Sequence, residues 1–201
     1  MREVKGAYRA GFAKADITPG VGVAMAGYAA REVGAKGCHD ELYSHVMVVE
    51  DSSRVAAVIN LDLLEVTSQL AWDLRKRISE VSRIPEDHIF ISATHTHSGP
   101  LVSEWFGKVQ EPETMDRIIA GSVKAVQEAQ GNMESVQVRR GQGILHGIGK
   151  NRRSLEDTPD PNLQVLGFYA GPSLVGCVVN FALHPTVLGA DNLLYSADYP
   201  G

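Results

Sequence analysis

His88-Ile89-Phe90-Ile91-Ser92-Ala93-Thr94-His95-Thr96-His97-Ser98-Gly99-Pro100 is the stretch that decides how this chain reads. Its first half, His88 to Ala93, has the apolar, β-branched character of a short buried strand. Its second half turns polar within one residue and carries two histidines, and Ser98-Gly99-Pro100 then forces a sharp exit. A strand that ends in such a turn delivers side chains to the edge of a sheet, where α/β proteins place their ligands.

Outward from this stretch the chain alternates strands and helices. Residues 8 to 17 read as a strand that stops at Thr18-Pro19-Gly20, and a Gly-rich stretch follows through Gly37 as a functional or covering loop. Tyr43 to Glu50 and Arg54 to Leu63 flank the polar turn Asp51-Ser52-Ser53, which predicts a hairpin. Leu70, Leu74, Ile78 and Val81 recur at helical spacing over Ser68 to Ile84, with Pro85 closing the segment. Pro112 to Gln130 predicts a second helix, with proline near its start. Further strands are expected at Ser135 to Arg140, Leu163 to Tyr169 and Leu174 to Phe181, with the polar Asn151 to Pro161 as a loop. The expected class is therefore α/β: layered mixed β-sheets flanked by helices, with a metal site at strand C-terminal ends.

Composition removes several functions. The 201 residues are 44% hydrophobic and 21% charged with a net charge of -5, which argues against a nucleic-acid partner. Cys38 and Cys177 have no CxxC spacing and suggest neither a disulfide framework nor a thiolate metal site. The polar start, Met1 to Gly6, lacks the profile of a signal peptide, and no apolar run reaches the length of a membrane span. As written the chain reads as cytoplasmic. These residues fix neither compartment nor oligomeric state, and they leave peripheral membrane contact open. GxSxG, P-loop and GxGxxG motifs are absent, as is the HxHxDH pattern of another metallohydrolase class.

Two histidines spaced i, i+2 on extended backbone point to one side, and imidazole nitrogens suit Zn²⁺. An HxH pair alone more often decorates a polar loop than holds a metal. Here a second strand-end histidine, His184 in Asn180-Phe181-Ala182-Leu183-His184-Pro185-Thr186, strengthens the metal reading. Catalytic zinc takes about three protein ligands and keeps a position for water. Asp62, at the end of an apolar strand, is a candidate to orient a ligand histidine from behind; Asp40 and Asp198 are weaker acidic candidates. Arg152 is placed to clamp a carbonyl or an anion. Trp105-Phe106 is a candidate lining for an acyl groove.

Taken in order, Gly11 to Pro19, Met25-Ala26-Gly27-Tyr28, His39 to Tyr43, Asp62, the Thr94 to Pro100 run, Asn151 to Ser154 and Phe181 to Thr186 resemble the N-terminal catalytic domain of the neutral/alkaline non-lysosomal ceramidases. That resemblance implies a zinc enzyme that cleaves the N-acyl amide bond of ceramide or another N-acyl amide. It implies His95 and His184 as zinc ligands, and His97 and Arg152 as groups that bind or polarise the substrate amide. The family completes its zinc site with a glutamate and a tyrosine from later in the chain. Residues 1–201 are therefore expected to be the N-terminal portion of such a domain, with weak zinc affinity and little activity alone. The competing expectation is a non-catalytic metal- or ligand-binding domain that retains the fold.

Overall fold

The computed structural model describes residues 2–201 except Phe106, Leu155, Glu156 and Thr158. Strands β1 (Arg2–Asp16), β3 (Tyr43–Glu50), β4 (Val55–Leu61), β5 (Ile89–Ala93), β6 (Glu134–Ile144), β7 (Asn162–Ala170) and β8 (Ser173–Phe181) form one mixed sheet in the order β5-β4-β3-β1-β6-β7-β8. A second, two-stranded parallel sheet joins β2 (Gly37–Cys38) to β9 (Leu194–Tyr195). Helices α1 (Ser68–Ser82) and α2 (Pro112–Gly131) complete the α/β architecture. No helix among the described residues is long and apolar enough to cross a membrane.

Alternation along the strands sorts residues onto two faces. Val46 and Val48 of β3, Ala57, Ile59 and Leu61 of β4 and Ile89 of β5 meet Leu70, Leu74 and Ile78 of α1 and Ile118, Ala125, Val126 and Ala129 of α2 in the main core. The hydroxyl of Thr67 caps α1 by accepting from the Leu70 amide at 3.1 Å. Val81, at helical spacing in the sequence, points outward and is exposed.

On the other face Ala10, Met47, Val136, Val138 and Phe168 form a smaller core, packed by Phe12, Val49, Val58, Val175 and Val178. Residues of β4 and β8, far apart in sheet order, share this cluster, so the sheet coils over itself into two layers. Gly176 makes the close approach possible: a Cβ there would lie 2.5 Å from the Phe12 ring. The coil brings the C-terminal ends of the two edge strands, β5 and β8, together.

Three expectations change. The first strand is longer than residues 8 to 17, because β1 pairs with both β3 and β6. The strand expected at Ser135 to Arg140 likewise continues to Ile144, paired with Asn162. The strand before the histidines is an edge strand rather than a buried one: it pairs only with β4, and Phe90 is 62% exposed.

Candidate metal centre

His95 and His97 leave the end of β5, and His184 leaves the end of β8. The His95 and His184 rings stack with centroids 4.9 Å apart, and the His97 ring lies 5.0 Å from His95 and 4.7 Å from His184. One ring nitrogen from each of the three falls within 4.8 Å of the others.

The His95-Thr96-His97 turn, the HTH turn, does not use extended backbone throughout. His95 takes the left-handed conformation, with φ of 67°. That bend, costly for a residue with a Cβ, aims the two imidazoles at a common point while Thr96 and Ser98 turn inward. Thr96 and Ser98 are fully buried. Thr96 Oγ1 donates to the Ser196 carbonyl at 2.7 Å, the Ser98 carbonyl accepts from the Ser196 amide at 3.1 Å, and Asn192 Nδ2 donates to Ser98 Oγ at 2.9 Å. The alternation of hydroxyl and imidazole thus has a physical reason: the hydroxyls weld the turn to the segment that follows His184.

Ring orientation is set by main-chain carbonyls. His95 Nδ1 lies 2.6 Å from the Leu64 oxygen, and His97 Nδ1 lies 2.9 Å from the Gly27 oxygen. A carbonyl only accepts, so both Nδ1 atoms carry a proton, and in the neutral ring the lone pair lies on Nε2. Burial, with the neighbouring His184 and His95 charges, pushes the His97 imidazole down to about 4. Burial first, then the charges of His95 and Arg152, lowers His184. Three imidazoles with ring nitrogens gathered at one point, two of them held towards the neutral form, fit a divalent cation.

The fit distinguishes the three. His97 Nε2 and His184 Nε2 are 2.8 Å apart, a hydrogen-bond distance. Two nitrogens on one tetrahedral zinc, each about 2.0–2.1 Å from it, stand about 3.3 Å apart. The His97–His184 pair is thus closer than two ligands of one ion, and it suits a shared proton.

Other candidates fall around this cluster. Asp62 is 1% exposed at the end of β4, but its carboxylate accepts the Tyr43 amide at 2.8 Å and pairs with His45 Nε2 at 3.1 Å. The position expected for it, behind a ligand histidine, is instead taken by the Leu64 and Gly27 carbonyls, which orient the ring without adding charge. Arg152 is exposed in the Asn151 turn, near enough for its charge to act on both His184 and Tyr28. Asp40 binds Ser196 Oγ at 2.5 Å and the Ala197 amide at 2.8 Å; Asp198 accepts the Leu188 amide at 2.9 Å and the Tyr199 amide at 2.6 Å. Both aspartates fix the 184–199 segment. Trp105 lines a small crevice with Met25, Tyr28 and Leu101; Phe106 lies outside the described residues.

The 26–31 segment, within the Gly-rich loop, packs directly on the cluster. Gly27, with φ of 102°, lies so close to His97 that a Cβ would sit 2.7 Å from its Cα, Cβ and Cγ. The Tyr28 ring packs 5.0 Å from the His97 ring, and its hydroxyl donates to the Leu188 carbonyl at 2.9 Å. Arg31 is 2% exposed beneath them. A lone arginine in a Gly/Ala-rich loop was the available signal.

A model of the neutral/alkaline non-lysosomal ceramidase N-terminal region matches residues 8–201. The chain belongs to that family. The neutral ceramidase of Pseudomonas aeruginosa is 29% identical over 96% of this chain and 32% of its own length. The neutral ceramidase of Mycobacterium tuberculosis is 27% identical over 93% of this chain and 33% of its own. The crystal structure of the Pseudomonas aeruginosa enzyme superposes with a TM-score of 0.88 at 28% identity, covering 97% of this chain and 35% of that one. The chain therefore spans about a third of the length of the curated relatives it matches.

Proposed function

We propose that this ceramidase-family chain supplies the histidine half of a zinc centre that hydrolyses N-acyl amide bonds, with ceramide as the substrate class. The observation that carries the reading is the convergence of His95, His97 and His184, with the Nδ1 positions of His95 and His97 taken by main-chain carbonyls. The family membership and the ceramidase names of the relatives support the substrate.

In this reading His95 and His184 hold the metal, and His184 gives up the proton that its Nε2 shares with His97 when the ion binds. Zn²⁺, when bound, supplies Lewis acidity and lowers the pKa of a water to near neutrality. His97 stays off the metal, consistent with its 2.8 Å approach to His184. Its Nε2 takes or returns a proton at the reacting amide, while the Gly27 carbonyl keeps Nδ1 protonated. Arg152, on a solvent-facing turn, approaches the developing oxyanion and spreads its charge. The released products are a sphingoid base and a fatty acid.

The test is metal content and fatty-acid release from a panel of N-acyl amides on the full-length protein, with His95→Ala and His184→Ala. Both variants are expected to lose bound zinc and at least about 10³-fold in turnover. Undiminished turnover in both sinks the site. Zinc binding by the parent without turnover on any amide moves the reading to a metal-binding domain without catalysis.

A further inference from the structure

Arg31 is a buried cation that no carboxylate contacts through a hydrogen bond among the described residues. Its Nη1 donates to the Ala26 carbonyl at 2.8 Å and to the His97 carbonyl at 2.5 Å, and its Nη2 donates to the Gly189 carbonyl at 3.2 Å. Nε is buried without a partner. The guanidinium carbon lies 4.8 Å from the centroid of the Tyr28 ring, and the Arg31 carbonyl accepts from Lys108 Nζ.

Those three carbonyls belong to three segments distant in sequence: the 26–31 loop, the HTH turn and the segment after His184. Burying a guanidinium is expensive unless its donors are satisfied. A merely structural link could be made by a neutral amide. Arginine alone offers a planar fork that reaches several acceptors at fixed angles. Tyr28, stacked on that fork, packs against the His97 ring and ties the same two segments through Leu188. Gly27, four residues before Arg31, holds the His97 Nδ1 proton.

We propose that Arg31 is the positioning residue of the site: it clamps the His97 main chain to the His184 segment and thereby holds His97 Nδ1 on the Gly27 carbonyl, with Nε2 aimed at the cluster. Arg31 touches neither substrate nor reacting atoms. It acts through His97, and the inference rests on the reading of the cluster as a metal centre only for its effect on metal affinity.

The experiment compares full-length parent, Arg31→Met and Arg31→Lys by two readouts. The first, on metal-free protein, is solvent exchange of the His97 Nδ1 proton by NMR. The second is Co²⁺ affinity by chelator competition. Arg31→Met is expected to accelerate His97 Nδ1 exchange at least tenfold and to weaken Co²⁺ binding by a similar factor. Arg31→Lys has one ammonium for three carbonyls and is expected to fall between the two. Parent-like exchange in folded Arg31→Met overturns the proposal. Should Arg31→Met fail to fold, Arg31→Lys decides alone, and parent-like exchange in that variant overturns it equally. If the parent binds no Co²⁺, the metal reading fails, while the exchange readout still decides on Arg31.

Discussion

The two halves of the site rest on unlike foundations. His95 and His97 extend from a strand backed by the main core, where Ile59, Leu61, Leu63 and Leu74 are fully buried and the hydroxyls of Thr96 and Ser98 are sealed in. His184 extends from β8, an edge strand over the smaller core, where Leu174 and Val179 are more than half exposed. Past His184 the chain has no regular element before the two-residue β9, and aspartate side chains hold it through backbone amides. One side of the centre is fixed by packing, the other by polar ties. Packing is cooperative with the whole fold, whereas such ties can break locally.

Perturbations on the two sides should therefore differ in kind. The largest effect is expected for Gly27→Ala. A Cβ at φ of 102°, driven 2.7 Å from the His97 main chain, costs about 3 kcal/mol from backbone strain and overpacking together. Equilibrium denaturation reads this as a clear drop in midpoint. A parent-like midpoint would mean that the 26–31 loop swings free of the HTH turn, and the contrast between the two sides would be lost.

A smaller change is expected on the His184 side. Asp198→Ala removes the acceptor for the Leu188 and Tyr199 amides and places alanine at φ of 58°. Because those amides can turn to water, the cost in global stability is about 1 kcal/mol. Hydrogen exchange should rise sharply across residues 184–199 while protection in α1 and β4 stays unchanged. Uniform acceleration through the main core would show that both sides unfold as one unit.

The smallest expected effect comes from pH, in metal-free protein. His97 titrates near 4 when folded and near 6.5 when unfolded, so the unfolded chain binds the extra proton between those values. The His97 contribution is thus intact above pH 6.5, erodes as pH falls from 6.5 to 4, and is constant below 4. The imidazole carbon-bound proton signals of His97, followed by NMR, check the folded value directly. A midpoint near 6.5 would mean that the ring is neither buried nor crowded by His184.

Much of the arrangement was legible in the residues. Apolar spacing located α1 and α2, the Asp51-Ser52-Ser53 turn located the β3–β4 hairpin, and the strand-end histidines are the residues that the fold gathers into one cluster. Coiling of the sheet was not legible, because no local pattern says that Phe12 will stack against the bare backbone of Gly176. The left-handed φ at His95 was hidden for a related reason. Few histidines adopt it, and here the tertiary ties of Thr96 and Ser98 hold it in place. Asp62 misled for a simpler cause: a carboxylate at a strand end can face either neighbouring strand, and here it faces His45 on β3. Arg31 was passed over because its partners are carbonyls, which leave no trace in side-chain identity.

The contact between His97 and His184 spans 87 residues of chain. Closing so long a loop is slow and entropically costly, and it must wait for every strand between the two ends of the sheet. During synthesis the HTH turn emerges well before its partner, at about 5–20 residues per second. For several seconds each nascent chain thus displays two histidines without their third, and the cluster itself reports a finished sheet.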